Sequence, residues 1–361
     1  MRLSLRGLPA SREGFRAAFV GLVLAGLVVA GIFFGSRRLK DFDTALVPYA
    51  AASVFAAFAL GYRFSLWLGR PPTNRLFRQT IHLLFRAPGA LSRWGTLLRG
   101  AFRSVGTQSF IFRRSPDRWV SHLCLMWGTL LAFSITFPLS FGWIRFETAR
   151  DSQDVYEAFV FGLRIFRTRL DGPLAALLFN ALVFAALLVI VGVLLALFRR
   201  GRDRGALAVQ EAGADLLPLI LLFAISATGL LLTMSTHFMH GFKYDFLSQI
   251  HAVTVVLLLL YVPFGKLFHI VQRPTQLGAF LVREANESGK KAACVRCGEP
   301  FASAMQIADL KQIQSELGVR YQLPSGANWQ EVCPPCRRKN LALLQDEMWH
   351  SVRRGAAEEE R

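Results

Sequence analysis

Six apolar runs without a single Asp, Glu, Lys or Arg govern what this 361-residue chain can become: 17–35, 44–62, 119–143, 172–198, 216–236 and 246–265. A hydrocarbon core about 30 Å thick takes about 20 helical residues to cross. Each run meets or approaches that length. Inside lipid, a helix is the one open segment that satisfies its own backbone polar groups. The expected fold class is therefore an all-α membrane protein with six transmembrane helices.

The formal net charge is +18, so its distribution matters. Between Arg70 and Arg118 lie ten Arg and one acid, Asp117, and residues 199–204 add four Arg. Residues 144–171 carry five basic and five acidic side chains, and 241–245 carry one of each. Short basic loops mark the cytoplasmic side. Six spans then put both termini in the cytoplasm and the balanced loops outside, the arrangement of a multi-pass protein of the bacterial inner membrane. The loop 36–43, with three bases and two acids, opposes the rule mildly. Topology absorbs the charge, and nucleic acid is not an expected partner; membrane lipid is. Arg2, Arg6, Arg12 and Arg16 ahead of the first run resemble a signal peptide. No small-x-small cleavage site follows at Gly35-Ser36-Arg37-Arg38, so residues 1–43 are read as a retained extra transmembrane helix.

Between the second and third runs, Leu76, Phe77, Ile81, Leu84 and Phe85 recur at helical spacing beside Arg75, Arg78 and Arg86, until Pro88-Gly89 ends the pattern. That predicts an amphipathic interfacial helix, anchoring to headgroups or docking a soluble partner. From about residue 285 the chain turns polar. Residues 303–317 predict a helix with Met305, Leu310, Ile313 and Leu317 as its apolar positions, and 341–349 predict another.

Two constellations carry chemistry. His251 and His269 are eighteen residues apart, five turns of helix. On one continuous helix they would share a face about 27 Å apart, one near each membrane surface. An intramembrane histidine is costly and functional by default, and neutral imidazole is a common axial ligand of haem iron. His122 enters the third span from the cytoplasmic side, at the depth of His269, so the pair His122 and His269 predicts a haem-binding helical bundle. For His251 the outer-side histidines His237 and His240 are available. They serve a second haem, line a quinone pocket, or sit in solvent. The other constellation is Cys294-Val-Arg-Cys297, thirty-five residues, then Cys333-Pro-Pro-Cys336. Two converging C-x-x-C knuckles supply a tetrahedral thiolate site, read as a zinc-ribbon-like cytoplasmic domain over residues 285–361, with an iron–sulfur cluster as the alternative.

The stretch from His251 through Tyr261-Val262-Pro263-Phe264-Gly265-Lys266-Leu267-Phe268-His269 resembles the last helix of the gamma, cytochrome b subunit family of respiratory nitrate reductase. It is similar also to that family's relatives in sulfite-reductase and heterodisulfide-reductase membrane complexes. Gly213-Ala214-Asp215 with the following run to Gly229-Leu230-Leu231 resembles its fourth helix, and Pro48-Tyr49 through Arg63 its first. The likeness covers residues 44–280, the expected cytochrome b-like membrane domain. It implies haem b, one or two per chain, and quinone as substrate. It further implies electron delivery from quinol to a cytoplasmic iron–sulfur or oxidoreductase subunit. The chain departs from the family at Ala132, where a second histidine of the third span stands, and in its first helix and Cys-bearing tail. The resulting expectation is an electron-transfer and membrane-anchor subunit of a quinol-linked oxidoreductase complex. The alternative is a six-helix transporter with a cytoplasmic zinc domain, against which stands the lack of charge in all six runs.

Overall fold

The computed structural model describes residues 12–359 except 88, 204, 206, 207, 209, 320 and 324. Arg2, Arg6, Pro88 and Arg204, used above, lie outside the described residues. In chain order come α1 (Arg12–Gly35), α2 (Val47–Gly69), α3 (Pro71–Phe85), α4 (Ala90–Ala101), a single turn α5 (Ser109–Phe112) and α6 (Pro116–Ser140). Strands β1 (Ile144–Thr148), β2 (Val155–Val160) and β3 (Leu163–Arg169) precede α7 (Pro173–Arg202), α8 (Leu217–Phe238), α9 (Tyr244–Tyr261), α10 (His269–Gln276) and α11 (Gly278–Ser288). The chain continues through β4 (Lys291–Ala293), β5 (Pro300–Ser303), α12 (Ala304–Glu316) and α13 (Pro334–Glu359). Six segments are long and apolar enough to cross a membrane: Arg12–Gly35, Thr44–Gly69, Pro116–Ser140, Pro173–Arg202, Ala212–Phe238 and Tyr244–Tyr261. They coincide with the six runs. Proline opens α3, α6, α7 and α8 in the first turn, where its missing N–H costs nothing.

The chain divides into two compact units, Met1–Trp67 with Ala101–Pro274, and Leu68–Gly100 with Thr275–Arg361. In the first, α6 and α7 approach until backbone meets side chain. A Cβ on Gly128 would lie 2.8 Å from Val189, and one on Gly192 2.8 Å from Leu125. Ser121 Oγ donates across this contact to Gly192 O at 2.9 Å. Small residues that let backbones close up are how helices gain dispersion contacts in lipid. Val189, Val193 and Ala196 of α7, Leu219, Leu221 and Leu222 of α8 and Leu258 of α9 form the buried core. Trp143, just past α6, donates its indole N–H to Gly31 O of α1 at 2.9 Å.

In the second unit the inner face of α3, Leu83 and Leu84, packs on Leu281 of α11, with Leu97 of α4 and Ala285 beside them. Arg75 Nε donates to Asp309 of α12 at 2.6 Å, and Gln79 reaches the same carboxylate. The Leu83 and Leu84 side of α3 is thus covered by the chain's own α11. Ile81 and Phe85, on its other side, stay exposed.

Three expectations need correction. The described chain is not all-α: residues 144–171, read as a loop, hold an antiparallel meander ordered β1-β2-β3, and β4 pairs with β5. Its alternating Arg and Glu come to lie side by side across strands. Arg164 and Arg167 both pair with Glu157, Arg167 also with Asp151, so the balanced charge is spent within the sheet. The hairpin turn at Phe161-Gly162 has positive φ at both residues (47° and 85°). Second, α6 ends at Ser140, short of Trp143. Third, the last apolar run is not continuous helix to His269. α9 stops at Tyr261, and a 3-10 turn over Lys266–Phe268 precedes α10. Pro263 has no N–H to continue the ladder, and Gly265 is extended (φ −85°, ψ −170°). His251 and His269 therefore do not lie on one straight helix, and the five-turn separation along a single axis does not apply.

Candidate functional site

His122 lies in the second turn of α6 and His269 opens α10, and the two rings meet with centroids 6.3 Å apart, inclined at 62°. Each ring is held by its Nδ1. His122 Nδ1 faces Gln108 Oε1 at 2.7 Å, while Gln108 Nε2 points to Met126 Sδ at 2.7 Å. An amide oxygen only accepts, so His122 carries its proton on Nδ1 and presents the Nε2 lone pair. His269 Nδ1 donates to Lys266 O at 2.6 Å, with the same result. Fixing one ring nitrogen on a carbonyl is how a ligating imidazole is kept in the right tautomer and orientation.

These residues fit a metal held between two imidazoles. A metal bonded at about 2 Å to one nitrogen of each imidazole would hold the ring centres up to about 6 Å apart. The pair already stands at that distance. Beside His269 is a cavity of about 480 Å³, lined by Arg63, Tyr261, Phe264, Lys266, Phe268 and Gln272 among others. Lys266 Nζ pairs with Asp215 at 2.5 Å, and Tyr261 donates to Gly213 O at 2.9 Å. Arg63 donates to Pro263 O and lies with its guanidinium 4.3 Å over the Phe268 ring.

His251 belongs to a different cavity, of about 330 Å³, walled by apolar side chains of α6, α7, α8 and α9 with Thr129, Thr136, Ser226 and Thr233 between them. Its Nδ1 lies 2.9 Å from Thr228 Oγ1, which is also 2.7 Å from Ala224 O, and this contact orients the ring. Ala132 is in the wall, and among the described residues His251 is the one histidine that lines this cavity. His237 and His240 are exposed near the end of α8, and the structure does not bring either to it. The side chains around His251 do not fit a second haem with two histidine ligands.

The four cysteines do converge. The sulfur atoms of Cys294, Cys297, Cys333 and Cys336 all lie within 4.8 Å of one another, and Cys297 Sγ is 3.7 Å from Cys333 Sγ. A tetrahedral ion with bonds of about 2.3 Å needs sulfurs about 3.8 Å apart, so the cluster could hold an ion such as zinc. Gly298 (φ 78°) makes the first knuckle turn, its N–H returning to Cys294 O at 2.8 Å. Pro334 starts α13 between the second pair. Burial opposes ionisation of Cys294, yet N–H groups of Cys333, Cys297 and Arg296 directed at its sulfur bring the thiol down to about 6. Cys336 is pushed up to about 12, first by its hydrogen bond with Cys333 and then by burial and the other thiols. One thiolate is favoured and a fourth is resisted, which a cation at the centre would reverse.

The sequence reading missed Gln108 and Arg63. Gln108 sits in an irregular segment with a left-handed backbone (φ 50°), and no periodic pattern could single it out. Arg63 falls one residue past the second uncharged run, so a charge inside α2 was the available signal. Set against known proteins, the chain finds no match among family models, curated proteins or solved structures.

Proposed function

We propose that this chain is a b-type cytochrome subunit of the bacterial inner membrane, relaying electrons between the quinone pool and a cytoplasmic oxidoreductase partner, with quinol as the donor. The observation that carries the reading is the neighbouring pair His122 and His269, ring centroids 6.3 Å apart and each ring anchored through Nδ1 so that Nε2 is left for a ligand. Haem b, when bound, supplies one-electron chemistry over a wide range of potential. The protein's part is to hold and tune it. His122 and His269 would be its ligands, and Gln108 and Lys266 O orient them. Phe268 and Leu267, packed beside the site, restrict water.

His251 has a separate part in this reading. Its Nε2 is available as a hydrogen-bond partner for a quinone head group, and the apolar cavity around it suits a ring with few polar atoms. The Cys-bearing unit would be a structural zinc site on the cytoplasmic side, with both termini, where the soluble partner docks. The test is a reduced-minus-oxidised absorption spectrum of the purified full-length protein with its haem-to-protein ratio. A b-type spectrum with one haem per chain is expected; a colourless protein after expression with ample haem supply refutes the reading. Two haems per chain would assign His251 to iron instead of quinone.

A further inference from the structure

We propose that Arg63 holds a carboxylate in the cavity beside His269, and that this carboxylate is a propionate of the haem; the inference rests on the reading of His122 and His269 as ligands. A charged side chain within a membrane span is costly and is by default there for a partner. Lys266, the other cation lining this cavity, has its partner in Asp215. Arg63 has none of that kind among the described residues. It gives one N–H to the carbonyl of Pro263 and spreads over Phe268, which fixes the guanidinium in place and leaves its charge uncancelled.

A guanidinium carries five donors in a planar fork that matches a carboxylate in two parallel bonds. One donor on Pro263 leaves enough for such a bidentate grip. The carbonyl that receives it lies in the break between α9 and α10, and Phe268 is the residue next to His269. Arg63 is thus tied to the same few residues that set His269. A group that approaches His269 from the cavity and carries a negative charge meets Arg63 with its partner side open. The cavity supplies no carboxylate of its own for it, since Asp215 is absent from the lining and already engaged. A lipid phosphate would offer similar anionic chemistry, and the experiment separates the two.

Full-length protein in lipid nanodiscs is loaded with haem or with haem dimethyl ester, whose esterified propionates carry no charge. Redox titrations and haem-loss rates are measured for wild type, Arg63→Gln and Arg63→Lys. Gln can still donate to Pro263 O but lacks the charge; Lys keeps the charge. With native haem, Arg63→Gln is expected to lower the midpoint potential and speed haem loss about 10-fold or more, while Arg63→Lys keeps the potential close to wild type but loses haem at an intermediate rate, having the charge without the planar fork. With the ester, wild type and Arg63→Gln should lose haem at the same rate, while the potential still responds to the Arg63 charge through space. A native-haem potential and loss rate unchanged in Arg63→Gln overturn the proposal. So does an acceleration of haem loss by Arg63→Gln that persists in full with the ester, which would assign the charge to lipid phosphate. A wild-type chain that binds no haem overturns the ligand reading itself, and is seen before any variant is compared.

Discussion

Gln108 Oε1 accepts the Nδ1–H of His122 at 2.7 Å from a residue that is only 4% exposed and holds a left-handed backbone at φ 50°. A bulky residue in that region is strained, and strain of this kind is kept where the surroundings enforce it. Its contact with the ring explains what the strain secures. His122→Ala and His269→Ala should each abolish the bis-histidine spectrum while the chain remains in the membrane. Gln108→Leu should keep the ligands but weaken haem binding by about 10–100-fold. Haem titration followed by the Soret band measures all three; wild-type affinity in Gln108→Leu would refute the orienting role.

The cysteine cluster predicts one zinc per full-length chain. Cys297→Ser and Cys336→Ser should each leave well under half of that, because three thiolates no longer close the tetrahedral site. A chelator should lower the thermal stability of the unit that contains it, since site formation is coupled to folding. Elemental analysis and a thermal melt provide the readings. Iron with visible charge-transfer absorption would replace zinc with an iron–sulfur cluster.

Where α6 meets α7, a larger side chain has no room. Gly192→Leu places atoms against Leu125 and Ser121 O, and Gly128→Leu against Val189 and Ala185 O. Each should cost about 1–3 kcal/mol by overpacking. Unfolding in mild detergent should register the loss, whereas Gly26→Leu, on an open part of α1, should be nearly silent.

Asp309 joins α12 to α3 by accepting from both Arg75 and Gln79, and its side chain is 13% exposed. Asp309→Ala leaves two donors without a partner and should cost about 1–3 kcal/mol. Arg75→Ala, removing a more exposed residue, should cost less. Limited proteolysis between α3 and α4 reports on both, and equal resistance in Asp309→Ala and wild type would refute the tie.

What the sequence disclosed depended on periodicity. The six apolar runs announce their helices because length and lack of charge are local properties. The C-x-x-C pairs announce their convergence because ligand chemistry leaves few other arrangements. The helix expected over 303–317 was equally local, and α12 spans Ala304–Glu316. The β1-β2-β3 meander was hidden because its strands alternate charge with bulky residues and lack a run of their own. The inner face of α3 read as amphipathic in sequence, yet Leu281, some two hundred residues later, is what covers it. Gln108 reaches His122 through tertiary position alone, and Thr228 reaches His251 the same way.

The interruption after Tyr261 has a consequence for tolerance to error. In an unbroken helix, each inserted or deleted residue would turn everything beyond it by about 100°. His251 would feel such a slip at once, being set by the rotation of α9 against Thr228. His269 is set instead by its own short turn, through Lys266 O, and by Arg63 gripping the joint at Pro263. The two histidines are thus mechanically insulated from one another. The break lets the rotation of α9 and the placement of His269 be set by separate contacts.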